Sequence, residues 1–389
     1  MKVVEIISDT NIGGAGVLLC TRLKYTDPKE FETCVLLPKG SQLKTRIESL
    51  GYPVYEITGS ADCSWTPKAF SSYIRILKRL RPDLVNCHAS LTGRLAATLC
   101  GVSTVVYTRH CVYPLKPWQK TKIGQALLKL GQNLLLDHAI AVAHTAKDNL
   151  IALGVSPKSI RVIINGVEGK RRYTEEEREA IRSRLGYGKD HFVLGICARL
   201  EACKGHEDLL GAASILLAKD PRFRFLIVGG GSRERELRKE CKIRGLTPYV
   251  TFTGFVEDVT PYMNTMDLQI NCSRGSETSS LSLSEGMSLG IPMVVSDYGG
   301  NPYMVREGEN GSIYPVGDAT ALAKKIWEIY QDPPCYNHMS KCAVRRFLTE
   351  LNAESMTEQT CRLYRALNQK NNQRAFSCPK KSSADARKA

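Results

Sequence analysis

The sequence predicts an α/β protein made of two doubly wound domains, and three observations carry that expectation. The chain has 389 residues, more than one ordinary core accommodates and suited to two domains of roughly 170–200 residues each. Its 43% apolar and 24% charged residues are globular proportions. Short β-rich runs also alternate with helix-like segments: VVEII, TCVLL, PVYEI, DLVNC, TVVYT, AIAVA and RVIIN in the first half, then FVLGICA, FRFLIVG, VTFTGF, DLQINC and PMVVSD in the second. Such runs read as parallel strands buried on both faces, joined by crossover helices. No repeat with a period of 20–50 residues is present.

Taken in order, the first loop after a strand is Asn11–Gly16, NIGGAG, leading into a helix from about Val17. Glycines there let the backbone approach a ligand, and a helix N-terminus offers free amides to an anion. The loop is neither GxGxxG nor a P-loop, and a tight strand–helix turn is the alternative. His88 in NCHAS and His110 in TRHCVYP each end a strand, where ligands of open α/β sheets bind. A lone histidine is more often structural, so both stand as candidates. The joint between domains is expected within Gly166–Tyr187, where NGVEGKRR gives way to the charged helix TEEEREAIRSRL.

In the second half, Arg199 and Lys204 flank a strand–helix junction whose free amides favour an anion such as a diphosphate, with solvated cations on a turn as the alternative. Gly229–Gly231 mark a second site of close backbone approach, and Asp297–Pro302 forms a turn cluster at another strand end. The stretch Ser273–Val295, SRGSETSSLSLSEGMSLGIPMVV, places Glu277 and Glu285 eight positions apart. On one continuous helix these would lie about 80° apart. Ser279 and Ser280 are N-cap candidates for a helix carrying Glu285, which leaves Glu277 on the incoming loop and lets both carboxylates face one cleft. A carboxylate is acceptor-only and suits paired hydroxyls of a sugar or ribose; a solvated loop and amphipathic helix is the alternative. Beyond Asn371 the polar, basic segment predicts a disordered tail.

The formal charge of +15 favours anionic partners. Residues 1–170 hold 22 Lys and Arg against 12 Asp and Glu, whereas residues 171–389 hold 32 against 27. No acidic residue lies between Asp83 and Asp137, a gap containing Arg94, Arg109, Lys116, Lys120, Lys122 and Lys129. Within it, Trp118–Leu136 spaces Ile123, Leu127, Leu130 and Leu134 at helical intervals, as an interfacial helix would, although a helix packed on its own sheet shows the same spacing. The 14 cysteines form no CxxC pair, and with no signal-like apolar core after Met1 they read as reduced thiols of a cytoplasmic protein without a zinc site. No run of about 18 apolar residues is present to span a membrane.

With these residues in view, the chain resembles the family 4 retaining glycosyltransferases over roughly Met1–Leu367. The most specific similarities are ARLEACKGHEDLL, like the family's Arg…Lys-Gly donor-phosphate motif, and ETSSLSLSEGM, like its E-x7-E motif. NIGGAG, INGV, VGGGSREREL and SDYGGNP match more weakly. The resemblance implies a GT-B fold of two facing Rossmann-like domains with a central cleft. It implies an acceptor-side domain at 1–170, a donor-binding domain at 185–350, a helix crossing back at 351–370 and the tail at 371–389. Arg199 and Lys204 would neutralise the nucleotide diphosphate and Glu285 would accept from ribose hydroxyls. Glu277 would hold the donor sugar, with Gly230, Ser279, Ser280 and Leu281 also in the donor site. His110 would stand near the reacting centre, and Gly13 and Gly14 in the loop closing on the substrates. Two positions depart from the family pattern near the sugar pocket: Glu277-Thr278-Ser279-Ser280 replaces Glu-Gly-Phe-Gly, and Tyr303 replaces an acid.

The function expected from this resemblance is retaining transfer of a sugar from a nucleotide-diphosphate sugar to a saccharide or lipid-linked acceptor, in surface polysaccharide or glycolipid synthesis. The donor would be a substrate, with no tightly bound cofactor and no metal. A nucleotide-sugar 2-epimerase of the same fold is the alternative within enzymes. Nucleic-acid binding is the alternative outside them, but no RNP, zinc-finger or helix-turn-helix signature accompanies the charge. The basic first domain is expected to dock on the inner, anionic face of a membrane.

Overall fold

The computed structural model describes residues 1–59, 62–275 and 277–377. The first domain is built on strands β1 (Lys2–Ile7), β2 (Glu32–Pro38), β3 (Val54–Ile57), β4 (Leu84–His88), β5 (Thr104–Arg109), β6 (His138–Ala141) and β7 (Ile160–Val162). They form one parallel sheet in the order β3-β2-β1-β4-β5-β6-β7. The second domain carries β8 (Phe192–Cys197), β9 (Phe223–Val228), β10 (Val250–Phe252), β11 (Leu268–Asn271), β12 (Met293–Ser296) and β13 (Gly311–Tyr314). Its parallel sheet runs β10-β9-β8-β11-β12-β13. These are two Rossmann-like domains, the GT-B architecture.

The strand order of each sheet reverses once, between β1 and β4 and between β8 and β11. At such a switch point consecutive crossovers leave toward opposite sides and open a crevice at the carboxyl ends of the strands. Every candidate residue taken from a loop of the sequence therefore falls on the functional edge of its sheet. The strands themselves are nearly continuous apolar runs because both faces are covered: Val3, Val4, Ile6 and Ile7 of β1 and Val193, Leu194 and Ile196 of β8 are all buried.

Two segments join the domains. Val167 pairs with Asn352 as a parallel bridge where the outgoing and returning chains cross side by side. The helix Glu175–Arg184, started by a capping box between Thr174 and Glu177, belongs to the second domain, since Arg178 and Arg182 each reach Asp267 at 2.5 Å. The last helix, Ala353–Ser377, returns to the first domain, where Met356, Cys361 and Tyr364 complete an apolar cluster with Val3, Leu18 and Phe31. Arg365 clamps Glu30 through two nitrogens at 2.5 and 2.7 Å. This helix continues past Asn371 to Ser377, into the segment expected as a tail; residues 378–389 lie outside the described residues.

The helix Lys122–Leu135 is inside out relative to a core-facing helix. Ile123, Leu127, Leu130 and Leu134 are 75, 59, 59 and 63% exposed, and only Gly124 of the helix is buried. Polar groups attach it to the domain: Gln132 accepts from Arg94 at 2.8 Å, and Gln125 donates to the Ala152 carbonyl at 3.1 Å. Packing of the stripe on its own sheet, the alternative left open by its spacing, does not occur. Lys116, Lys120, Lys122 and Lys129 share the exposed surface, whereas Arg94 is buried and Arg109 half-buried. No helix of the described residues is long and apolar enough to cross a membrane.

Candidate active site

The two switch-point crevices face each other across a cleft of about 320 Å³. The first domain lines it with Asp9, Gly14, His88 and His110, and the second with Glu277, Thr278, Ser279 and Leu281. The domains nearly touch here: a Cβ placed on Gly14 would lie 4.0 Å from Leu281 Cδ1.

On the first-domain wall, β1 and β4 are in register with Glu5 opposite Asn86 and Ile7 opposite His88. Alternation brings Asn86 and His88 to one face of β4. Glu5 is fully buried; its Oε2 accepts from His88 Nε2 at 2.8 Å and Asn86 Nδ2 at 2.9 Å. Its Oε1 accepts from Tyr364 of the returning helix at 3.1 Å and lies 2.6 Å from Arg22 Nη2, an ion pair not aligned as a hydrogen bond. The second nitrogen of His88, Nδ1, stands 2.8 Å from His110 Nε2. His110 Nδ1 is buried and has no partner among the described residues. Burial first, then the neighbouring His88 and Arg22, push His110 down to about 3, so its ring is neutral at working pH.

On the second-domain wall, Lys204 Nζ meets Glu277 Oε2 at 2.7 Å with both side chains largely buried. The same oxygen accepts from Ser273 Oγ at 2.7 Å and Asn271 Nδ2 at 3.3 Å, which leaves Oε1 for another donor. The loop is held from behind, since Ser296 donates to the Ser273 carbonyl at 2.5 Å and Asn301 donates to Ser296 at 3.1 Å. Gly300 is required there: a Cβ would stand 1.6 Å from the Thr278 carbonyl oxygen. Gly205, after Lys204, has φ of +62° and would place a Cβ 2.2 Å from the Cys272 carbonyl oxygen, so glycine fixes how Lys204 enters the site. Arg199 is exposed, and Gly230 lies half-buried after β9.

Glu285, on the helix Leu281–Ser288, pairs with Lys170 of the interdomain segment at 2.9 Å. The two glutamates thus have separate cations, and Glu285 does not line the 320 Å³ cleft with Glu277. Ser280 is the N-cap, as its position suggested, but its side chain does not close the first turn; its Oγ takes Asn271 Nδ2 at 3.3 Å instead. Gly13, N-cap of the helix Gly14–Tyr25, has no side chain to do so either. Two helix N-termini, one from each domain, therefore point uncapped amides and positive dipole ends at one cleft, an arrangement that favours an anion. Tyr303, which stands where the resemblance leads one to expect an acid, stacks on His144 of the first domain with centroids 4.7 Å apart. No group of metal-ligating side chains occurs among the described residues.

The family model for group 1 glycosyl transferases matches residues 191–332, and that for glycosyltransferase family 4 matches residues 12–171. Between them they take in both walls of the cleft. The chain belongs to the family 4, group 1 glycosyltransferases. This glycosyltransferase is 25% identical over 330 residues to an alpha-monoglucosyldiacylglycerol synthase of Acholeplasma laidlawii, covering 78% of the chain and 80% of the relative. It is 25% identical over 306 residues to the Escherichia coli UDP-Gal:alpha-D-GlcNAc-diphosphoundecaprenol alpha-1,3-galactosyltransferase, covering 76% and 79%. Among solved structures, Anabaena Alr3699/HepE in complex with UDP superposes with a TM-score of 0.80 at 22% identity, covering 94% of this chain and 100% of that one. These comparisons do not favour the epimerase.

Sequence reasoning missed Glu5, Arg22 and Tyr364, which stand behind the two histidines. The available signal was a lone acid in VVEII, a strand expected to be buried on both faces. It also treated His88 and His110 as independent candidates, whereas they are hydrogen-bonded neighbours.

Proposed function

We propose that this glycosyltransferase moves a sugar from a nucleotide-diphosphate sugar to a lipid-linked or saccharide acceptor, in surface polysaccharide or glycolipid synthesis, with the donor's anomeric configuration retained. The observation that carries the reading is the pair of opposed, uncapped helix N-termini beside the Lys204–Glu277 pair, facing His110 across the cleft. The diphosphate would lie against Arg199, Lys204 and the first turn of the helix Leu281–Ser288, with Glu285 on the ribose. Negative charge grows on the leaving diphosphate as the glycosidic bond breaks, so fixed cations and amides act most strongly in the transition state.

The way Glu277 is held supports a retaining transfer that runs without a covalent intermediate on this carboxylate. Three donors converge on Oε2, so the carboxylate is tied down as a holder of sugar hydroxyls through Oε1 rather than freed as a nucleophile. The acceptor hydroxyl would then attack on the face the diphosphate leaves, passing its proton to the departing phosphate oxygen. The test is incubation with a panel of nucleotide sugars and acceptors, followed by proton NMR of fresh product. Retained anomeric coupling is expected; an inverted linkage would contradict the reading.

The docking partner of the first domain is, in this reading, an anionic bilayer. Support comes from the outward stripe on Lys122–Leu135, the four exposed lysines around it and the charge excess of residues 1–170. Each lysine near such a surface contributes about 1 kcal/mol, enough together for reversible attachment. The diacylglycerol and undecaprenol named for the two relatives would suit an acceptor delivered there. Co-sedimentation with anionic liposomes is expected at low salt and lost at high salt or when Lys116, Lys120 and Lys122 are reversed to Glu. Equal recovery with neutral liposomes would rule the surface out.

A further inference from the structure

We infer that Glu5 and His88 are positioning residues that hold His110 in its Nε2–H form, presenting a bare Nδ1 as a hydrogen-bond acceptor to a substrate hydroxyl. The inference rests on the glycosyltransfer reading for its substrate, but the tautomer itself is a property of the protein alone.

A carboxylate only accepts, so the 2.8 Å contact between Glu5 Oε2 and His88 Nε2 requires the hydrogen to be on His88 Nε2. If His88 is neutral, its Nδ1 carries a lone pair, and the 2.8 Å contact to His110 Nε2 requires a hydrogen on that nitrogen. His110 Nδ1 is then unprotonated, and it is the ring atom left without a partner. The other assignment makes His88 an imidazolium. Charge balance opposes it: Glu5 is already matched by Arg22 at 2.6 Å, so a further buried proton would leave the cluster net positive. Burial pushes the nearby carboxyl of Asp9 upward. The chain Glu5–His88–His110 thus fixes orientation and tautomer together, as an orienting carboxylate does for a histidine base.

Its anchoring is unusually complete. Asn86, Arg22 and Tyr364 all converge on Glu5, and Thr108 donates to Asn86 Oδ1 at 2.9 Å. The chain therefore links three strands, the first helix and the returning helix to one imidazole edge. Such an acceptor distinguishes a hydroxyl from a hydrogen or an alkoxy group at the matching sugar position, and it cannot serve as a general acid while neutral.

The experiment is nitrogen-15 NMR of histidine-labelled full-length protein without ligand, with the His110 signals among the seven histidines assigned by their loss in His110→Ala. The expected result is one tautomer, protonated at Nε2 and unprotonated at Nδ1, unchanged between pH 5 and 8. His88→Phe should release His110 into a mixture of tautomers and lower kcat by about tenfold with little change in donor KM. His88→Gln, whose amide can donate through its NH2 and accept through its carbonyl, should restore a single tautomer and part of the rate. Protonation of His110 at Nδ1, or its titration near the ordinary histidine value, would overturn the inference even if every variant folds. Failure of the glycosyltransfer reading would leave the NMR result standing.

Discussion

Lys204→Ala and Glu285→Ala are each expected to lower turnover of the nucleotide sugar by at least about tenfold, or roughly 1.4 kcal/mol of transition-state stabilisation. Lys204 supplies a cation held by Gly205 and by Glu277 at 2.7 Å, and its loss leaves a largely buried carboxylate beside the proposed diphosphate site. Two effects then add: a stabilising charge disappears, and the negative charge it offset becomes repulsive to the leaving group. Glu285→Ala acts differently, by removing the proposed ribose acceptor and freeing Lys170, its partner at 2.9 Å. Arg199 is exposed, so Arg199→Lys keeps a charge near the proposed diphosphate site while losing the planar fork. Steady-state kinetics with the donor found by panel screening would decide; wild-type rates for both alanine variants would remove the proposed donor site.

Arg22→Ala is expected to destabilise the fold by about 3–5 kcal/mol, because it strands the Glu5 carboxylate in the core of the first domain. In the wild type, burial raises the Glu5 carboxyl, but the Arg22 charge and the His88 hydrogen bond outweigh it and hold the group at about 2. A carboxyl lowered on folding contributes its stability fully above its unfolded value of 4.5 and loses it as pH falls toward 2. That depression corresponds to about 3 kcal/mol. In Arg22→Ala the upward push of burial prevails, so the deficit against wild type should be largest near neutrality and narrow on acidification. Denaturant unfolding of both proteins at pH 7 and pH 4 tests this, and a small, pH-independent deficit would contradict it.

The strands were legible because buried parallel strands leave uninterrupted apolar runs, and the loops were legible because switch-point chemistry concentrates at strand ends. β13 was missed: GSIY has four residues and two of them, Gly311 and Ser312, carry no strand signal, so only pairing with β12 makes it a strand. Glu5 was missed because its partners are distant in sequence, Tyr364 lying 359 residues away. The Lys204–Glu277 pair spans 73 residues, and nothing local announces that the cation assigned to the diphosphate is already matched. The stripe on Lys122–Leu135 was visible as a period, but its direction was not. Gln125 and Gln132 decide that by bonding inward, and polar residues on a helix ordinarily signal the solvent face.

In the proposed function the diphosphate lies on the second domain and the reacting sugar against His110 on the first. Calorimetric titration of wild type, Lys204→Ala and His110→Ala with nucleoside diphosphates, alongside transfer assays on the same preparations, separates these directly. This division of roles predicts that Lys204→Ala binds the diphosphate at least about tenfold more weakly, while His110→Ala binds it as wild type does yet transfers poorly. Wild-type affinity in Lys204→Ala, or undiminished transfer by His110→Ala, would contradict it.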